Sequence, residues 1–257
     1  MTFLVAVQFL TVLPLSKSKP TAADIGASQA YFPLVGLLLG LALAGVDAAL
    51  GRLWPPALAN ALLLAFLVLA TGALHFEGFL DTCDGLFGGH DRERRLEIMR
   101  DGRVGAYAVA GGATLVLVKW AALLALAEPA RLPTLIIFPV LSRWAMALAI
   151  RAFPYAREQG LGAAFRAGAT TRRTAIAAAI ALAGAVVAAG WGGTVLFAVA
   201  TGAAWLVGSF AVGRLDGLTG DVYGAICELA EVAMLLVATA ASGSWFVGPV
   251  ATVVPRT

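Results

Sequence analysis

Between His75 and Gly105 the chain reads HFEGFLDTCDGLFGGHDRERRLEIMRDGRVG, and within it Glu77, Asp81 and Asp84 recur at i, i+4 and i+7. At about 100° per residue these three carboxylates fall within about 60° of one another on a helix. Like charges held that close repel, so the arrangement is costly unless a cation lies between them. Ligands made of oxygen alone select Mg²⁺, Ca²⁺ or Mn²⁺ over zinc or copper. A solvated helix face is the bland alternative, weakened by Leu74, Phe76, Phe79 and Leu80 interleaved with the acids.

Gly85, Gly88 and Gly89 follow, and a glycine-rich turn either lets backbone N–H groups approach a phosphate or simply turns the chain. The next run, DRERRLEIMRDG, has the pattern of a short amphipathic helix, with Asp91 as N-cap, Leu96 and Met99 on one side and Gly102 at C′. Arg92, Arg95 and Arg103 suit either a helix lying on lipid headgroups or a forked clamp on a diphosphate. His75 fits a general base, a metal ligand or a hydrogen-bonded interface histidine equally well.

A second acidic cluster lies in LDGLTGDVYGAICELAE, residues 215 to 231. Asp221, Glu228 and Glu231 keep to one flank of a helix, with Glu228 about 10 Å and Glu231 about 15 Å along it from Asp221. Ionisable groups at such depth are costly and functional by default, unless they pair with an intramembrane base such as Arg143. Arg143 itself is read either as that counter-charge or as a holder of substrate phosphate. Lys119 is expected to snorkel at the outer end of its span, and Asp47 to pair with Arg52.

The elements that must position these groups are membrane helices. Of 257 residues 60% are hydrophobic and only 13% charged, against about 25% charged in soluble domains. The apolar runs approach the roughly 20 residues a spanning helix needs, which argues against an outer-membrane barrel. The expected fold is all-α and polytopic, one transmembrane domain over 1–257 with spans near 31–50, 57–75, 104–127, 133–150, 174–190, 194–213 and 222–241. The first 13 residues read as an interfacial helix and not a cleaved signal peptide; the tail from Ser242 stays unassigned. Gly36 with Gly40, and Gly111 with Gly112, predict close helix packing. Cys83 and Cys227 lack metal or disulfide spacing and read as free thiols.

Thirteen Lys and Arg fall on one side of these spans and three (Arg52, Arg131, Arg256) on the other. The positive-inside rule therefore puts both acid-bearing segments, about 75–105 and 214–231, in the cytoplasm. That count ignored carboxylates, so their arrival on one side supports a single site. The small excess of three positive charges points to loop asymmetry and not to nucleic acid. The residues thus predict a polytopic enzyme using carboxylate-held Mg²⁺ on a diphosphate. The rivals are a transporter relaying ions through Glu228 and Glu231, though no inverted repeat with matched broken helices is evident, and a membrane scaffold.

The run from His75 to Tyr107 resembles the signature of the cobalamin synthase family, the adenosylcobinamide-GDP ribazoletransferases. So do FLTVLP near the start, YFPLVGLLLG at 31–40, YAREQGLG at 155–162 and TGDVYGAICELAE at 219–231. The resemblance implies that α-ribazole or its 5′-phosphate attacks adenosylcobinamide-GDP with Mg²⁺, giving cobalamin or its phosphate and releasing GMP, at the cytoplasmic membrane of a bacterium or archaeon. Under it, Glu77, Asp81 and Asp84 hold the metal, joined by Asp101 or by Asp221, Glu228 and Glu231. Arg92, Arg95 or Arg103, with Gly88 and Gly89, bind the diphosphate, and His75 or a carboxylate takes the hydroxyl proton. A homo-oligomer is compatible with this reading. Asp81-x-x-Asp84-Gly85 is also similar to the opening of the CDP-alcohol phosphotransferase motif, but the rest of that motif is absent, which implies analogous chemistry and not membership. Gly102 departs from the cobalamin synthase pattern, where a small hydroxyl residue is common.

Overall fold

The structure, a computed structural model, describes residues 2–15, 19–241 and 243–246. Among them there is no strand, and one isolated bridge pairs Tyr155 with Leu218. The helices are α1 (Thr2–Leu10), α2 (Ala22–Ser28), α3 (Phe32–Leu50), α4 (Pro56–Ala70), α5 (Leu74–Gly88), α6 (Arg92–Ile98), α7 (Ala106–Ala125), α8 (Arg131–Ala152), α9 (Leu161–Ala167), α10 (Thr171–Leu215) and α11 (Gly220–Ala240). Five helical stretches are long and apolar enough to cross a bilayer, and the α4–α5 pair makes a sixth if it counts as one bent span. The protein is an all-α, multi-pass membrane protein.

Local sequence sets the helix ends. Thr21, Asp91, Thr170 and Thr219 each accept a hydrogen bond from a first-turn backbone N–H, satisfying a donor that the helix itself leaves orphaned. Pro56 sits at the start of α4, where its missing N–H costs nothing. Inside α10, Gly190 adopts φ 57° and ψ −129°, and a Cβ on Gly193 would collide with the carbonyl of Ala185. Eight residues of continuous helix span about 12 Å, so this contact means that the chain folds back at Gly190. The stretches expected at 174–190 and 194–213 are thus two arms of a hairpin.

α8 is the central helix, buried along nearly its whole length. It meets α3 where Gly36 and Gly40 let the backbones touch: a Cβ on either would strike the carbonyl of Pro139 or Ile136. Gly111 and Gly112 of α7 instead make room for the side chains of Cys83 and Leu80 of α5. Both glycine pairs therefore act as their spacing predicts. α1 buries Ala6, Val7 and Leu10, and its Phe9 stacks on Phe32.

Several expectations need correction. The span expected at 57–75 ends at Ala70, where Gly72 and Ala73 take left-handed backbone and α5 leaves at 90° to α4. The acid-bearing segment is consequently a helix of its own, packed against α7 and α11. Gly102 is not the glycine that ends α6, which stops at Ile98 with Met99 as its cap. Asp47 pairs with Arg131, not Arg52, and Asn60 accepts from the same guanidinium. Lys119 does not snorkel but is buried. Lys17, Arg256 and the tail beyond 246 lie outside the described residues.

Gly40→Val should force α3 away from α8 and destabilise the fold by about 1–3 kcal/mol or more. Gly45→Val, on the open face of the same helix, should not. Thermal unfolding in detergent separates the two; equal shifts would contradict the glycine-packing account.

Candidate active site

α5 and α11 cross at a pair of glycines. A Cβ on Gly78 would lie 2.8 Å from the Asp221 carbonyl oxygen, and one on Gly224 would lie 2.9 Å from that of His75. Only hydrogen fits on either side, so the backbones touch. This contact sets Glu77 and Asp81 of α5 beside Asp221 of α11. Asp81 stands within electrostatic reach of both Asp221 and Glu77.

The three acids line one cavity of about 260 Å³. Asp221 is oriented by Arg157, whose Nη2 donates to its Oδ2 at 2.9 Å, and by the Thr219 hydroxyl at 3.1 Å. Arg157 comes from the loop after α8, which a short ladder ties to the α10–α11 turn: Ala156 N donates to Leu218 O and Leu218 N to Pro154 O, both at 2.8 Å. Tyr155 stacks on Tyr223, and burial pushes its hydroxyl above the usual tyrosine pKa. Away from the acids, Phe9, Phe32 and Phe165 form an aromatic wall. His75 also lines the cavity, buried, with Nε2 lacking any partner.

The other sequence-predicted residues sort differently. Asp84 shares the α5 helix, but its carboxylate accepts the backbone N–H groups of Gly105 at 2.6 Å and Ala108 at 2.8 Å. It caps the start of α7 and does not line the cavity. Asp101 and Arg103 are occupied with each other at an exposed turn, where the hydrogen bond from Arg103 holds the Asp101 carboxyl below the usual range. Arg92 donates to the Leu215 and Ala156 carbonyls, and Arg95 to those of Gly89 and Arg214. Both fasten α6 to the α10–α11 turn. Gly89 gives room for the Arg95 backbone, while Gly88 closes α5 near Tyr107; neither lines the cavity. The arginine that the structure does bring to the acids, Arg157, was not singled out, although the sequence reads its loop, 154–162, as a cytoplasmic rim of the site. Its one signal in the sequence was its place in YAREQGLG.

Glu228 and Glu231 belong to another cluster. Lys119 Nζ donates to both carboxylates, Arg143 Nη1 donates to Glu231 at 2.6 Å, and Ser142 donates to Glu231 at 3.0 Å. Two cations thus balance two carboxylates inside the bundle, the geometry of the structural alternative. In this structure the two glutamates are members of an internal ion network, and Arg143 stands as their counter-charge, one of its two sequence readings. A smaller cavity of about 30 Å³ touches this network, and His75 forms part of its wall. Among the described residues no three His, Cys, Asp or Glu side chains come close enough to hold a metal without other ligands. Cys83 and Cys227 are free and buried.

Fold and site define an intramembrane protein whose acid-lined cavity opens where a loop, two helices and an aromatic wall meet. The chain matches the Cobalamin-5-phosphate synthase family over residues 2–239, and it belongs to that family, whose members are enzymes of cobalamin synthesis. It is 40% identical over 227 residues to the adenosylcobinamide-GDP ribazoletransferase of Desulforamulus reducens, covering 88% of this chain and 91% of the relative. The protein of the same name from Geotalea daltonii is 38% identical, covering 94% and 98%, and that from Pseudomonas putida is 40% identical, covering 91% and 96%. No solved structure matches the chain.

Lys119→Met leaves two buried carboxylates to share one guanidinium and should destabilise the protein by about 3–5 kcal/mol. Lys119→Met combined with Glu228→Met restores the balance and should recover much of that loss. Unfolding midpoints in one detergent test both; a double variant no better than the single would contradict the network.

Proposed function

We propose that the protein is an Mg²⁺-dependent transferase of the cytoplasmic membrane. It joins adenosylcobinamide-GDP with α-ribazole, or α-ribazole 5′-phosphate, to give adenosylcobalamin or its 5′-phosphate and GMP. The relatives' name supports the substrate pair. The observation that carries the reading is the convergence of Glu77, Asp81 and Asp221 on one cavity, with Arg157 paired to Asp221.

The donor set fits a hard divalent ion. All three acids offer oxygen, and Mg²⁺ is commonly held by one or two carboxylates plus substrate phosphates, so three chelating side chains in contact are not required. When bound, the ion would neutralise charge on the diphosphate. The chain's own groups do the rest. Glu77, Asp81 and Asp221 fix where the diphosphate lies, and Thr219 and Arg157 hold Asp221 in position. Arg157 Nε is buried without a partner and suits a phosphate oxygen. A ribose hydroxyl of the nucleoside attacks the phosphorus that carries the cobinamide, the bridging P–O bond breaks, and GMP leaves. The hydroxyl proton goes to a base of the same cavity, where His75 and the acids stand. This chemistry needs positioning and charge stabilisation more than a covalent intermediate.

The surplus of Lys and Arg on the loops that border the cavity supports a cytoplasmic opening, which would admit nucleotide substrates. Pairing of Glu228 and Glu231 with Lys119 and Arg143 argues against their serving as the ion-relay groups on which a transporter would depend.

GMP release from proteoliposomes is the test. Asp81→Asn and Asp221→Asn should each lower the rate about 10²- to 10³-fold, and EDTA should abolish it until Mg²⁺ or Mn²⁺ is restored. An Asp81→Asn protein that inserts normally and turns over at the wild-type rate would defeat the assignment.

A further inference from the structure

Residues 151–173, which lead from the end of α8 to the start of α10, hold five arginines and one acid, Glu158. Asp221 takes Arg157. Helix register brings two of the others level with each other. A Cβ on Gly184 of α10 would meet Val140 of α8 at 3.8 Å. The second arm of α10 runs alongside α8 in the same direction, with Trp144 against Phe197 and Phe153 against Trp205. The first arm, reversed at Gly190, is therefore antiparallel to α8. Eleven residues from that contact toward the shared end lie Arg151 and Arg173, each on the stripe of its helix that carries the contact, since eleven residues make almost whole turns. Like charges on facing stripes repel unless an anion lies between them. Arg173 donates through Nη1 to the Gly168 carbonyl at 2.8 Å. Arg151 and Arg172 are exposed, and among the described residues their side chains have no partner.

The surface beside these cations decides the kind of anion. Arg151 stands in the last turn of α8 and Arg172 in the first turn of α10, and both helices are long and apolar enough to cross a bilayer. From Arg172 the same face of α10 continues through Ile176, Ile180 and Val187. Ile176 is 37% and Val187 59% exposed. Cations at a span's end above an apolar stripe match a headgroup phosphate above its acyl chain. A free phosphate or an acidic peptide would leave the stripe unused. We propose that Arg151, Arg172 and Arg173 bind the headgroup of an anionic phospholipid, with its phosphate between the ends of α8 and α10 and a chain along Ile176, Ile180 and Val187. This site is separate from the acid-lined cavity and does not rest on the transferase reading.

The test follows thermal unfolding of the full chain in a neutral detergent across titrations of phosphatidylglycerol and of phosphatidylcholine with the same chains. The rise of the midpoint with lipid gives an apparent affinity for each. Wild-type protein should bind phosphatidylglycerol about tenfold more tightly than phosphatidylcholine, and the preference should shrink in about 0.5 M salt. Arg151→Gln and Arg172→Gln should each weaken phosphatidylglycerol about fivefold and leave phosphatidylcholine unchanged. Arg52→Gln, at an exposed arginine between α3 and α4, should change neither. Equal affinity for the two lipids overturns the site, as does a loss in Arg52→Gln as large as in the other variants. Glycerol phosphate or a glutamate-rich peptide that raises the midpoint as much as phosphatidylglycerol at equal concentration overturns it too, because neither has an acyl chain. If one arginine variant does not fold, the other variant and the salt dependence of the wild type decide.

Discussion

The contact of α5 and α11 at Gly78 and Gly224 is the constraint on which the site depends. Carboxylates on two helices can share a small cavity only if the backbones approach until their atoms touch, and any side chain at the crossing would hold them apart. The sharp turn at Gly72 and Ala73 serves the same end. It swings α5 out of line with α4, so that the helix reaches α11 and α7 instead of continuing through the bilayer. Asp84 then secures the far end of α5 to the first turn of α7.

Charge balance separates the two acidic groups. Around Glu228 and Glu231 the count is even, with Lys119 and Arg143 opposite two carboxylates, all buried and hydrogen-bonded. Such a network is stable in an apolar bundle because removing any partner would leave an uncompensated charge. At the cavity the balance differs: among the described residues three carboxylates line it, and of these Asp221 is ion-paired, to Arg157. That surplus of negative charge, beside a space large enough for a ligand, is what a divalent ion and a diphosphate held together would settle. The same feature would be a liability in a structural site.

Much of this was legible in the sequence, for physical reasons. Runs of apolar residues interrupted by charged loops define a membrane bundle, and glycines at helical spacing mark where helices touch. Glu77 and Asp81 were visible because one turn of helix separates them. Asp221 was visible because it begins a span on the same side. The depth of Glu228 and Glu231 also followed from the rise per residue, which already set them away from Asp221. What failed was partner choice. Lys119 and Glu228 are 109 residues apart, as Asp47 and Arg131 are 84 apart, and no local pattern shows which buried charges will meet. The bonds from α7 to Asp84 were hidden because helical periodicity places a carboxylate on a face without revealing that the next helix will begin there. The bonds of Arg92 and Arg95 to backbone carbonyls were hidden because such carbonyls leave no mark in the sequence. Arg157 was not singled out because the ladder joining its loop to Leu218 is a tertiary feature.

A double-mutant cycle across the crossing tests most directly whether α5 and α11 build one site. Asp81→Asn, Asp221→Asn and the pair together would be compared by kcat/KM for GMP release, at equal membrane insertion. If the two carboxylates act on the same diphosphate, the double variant should be little worse than the poorer single, because the first loss already undoes the shared function. Losses that multiply would show two independent contributions and contradict a common site.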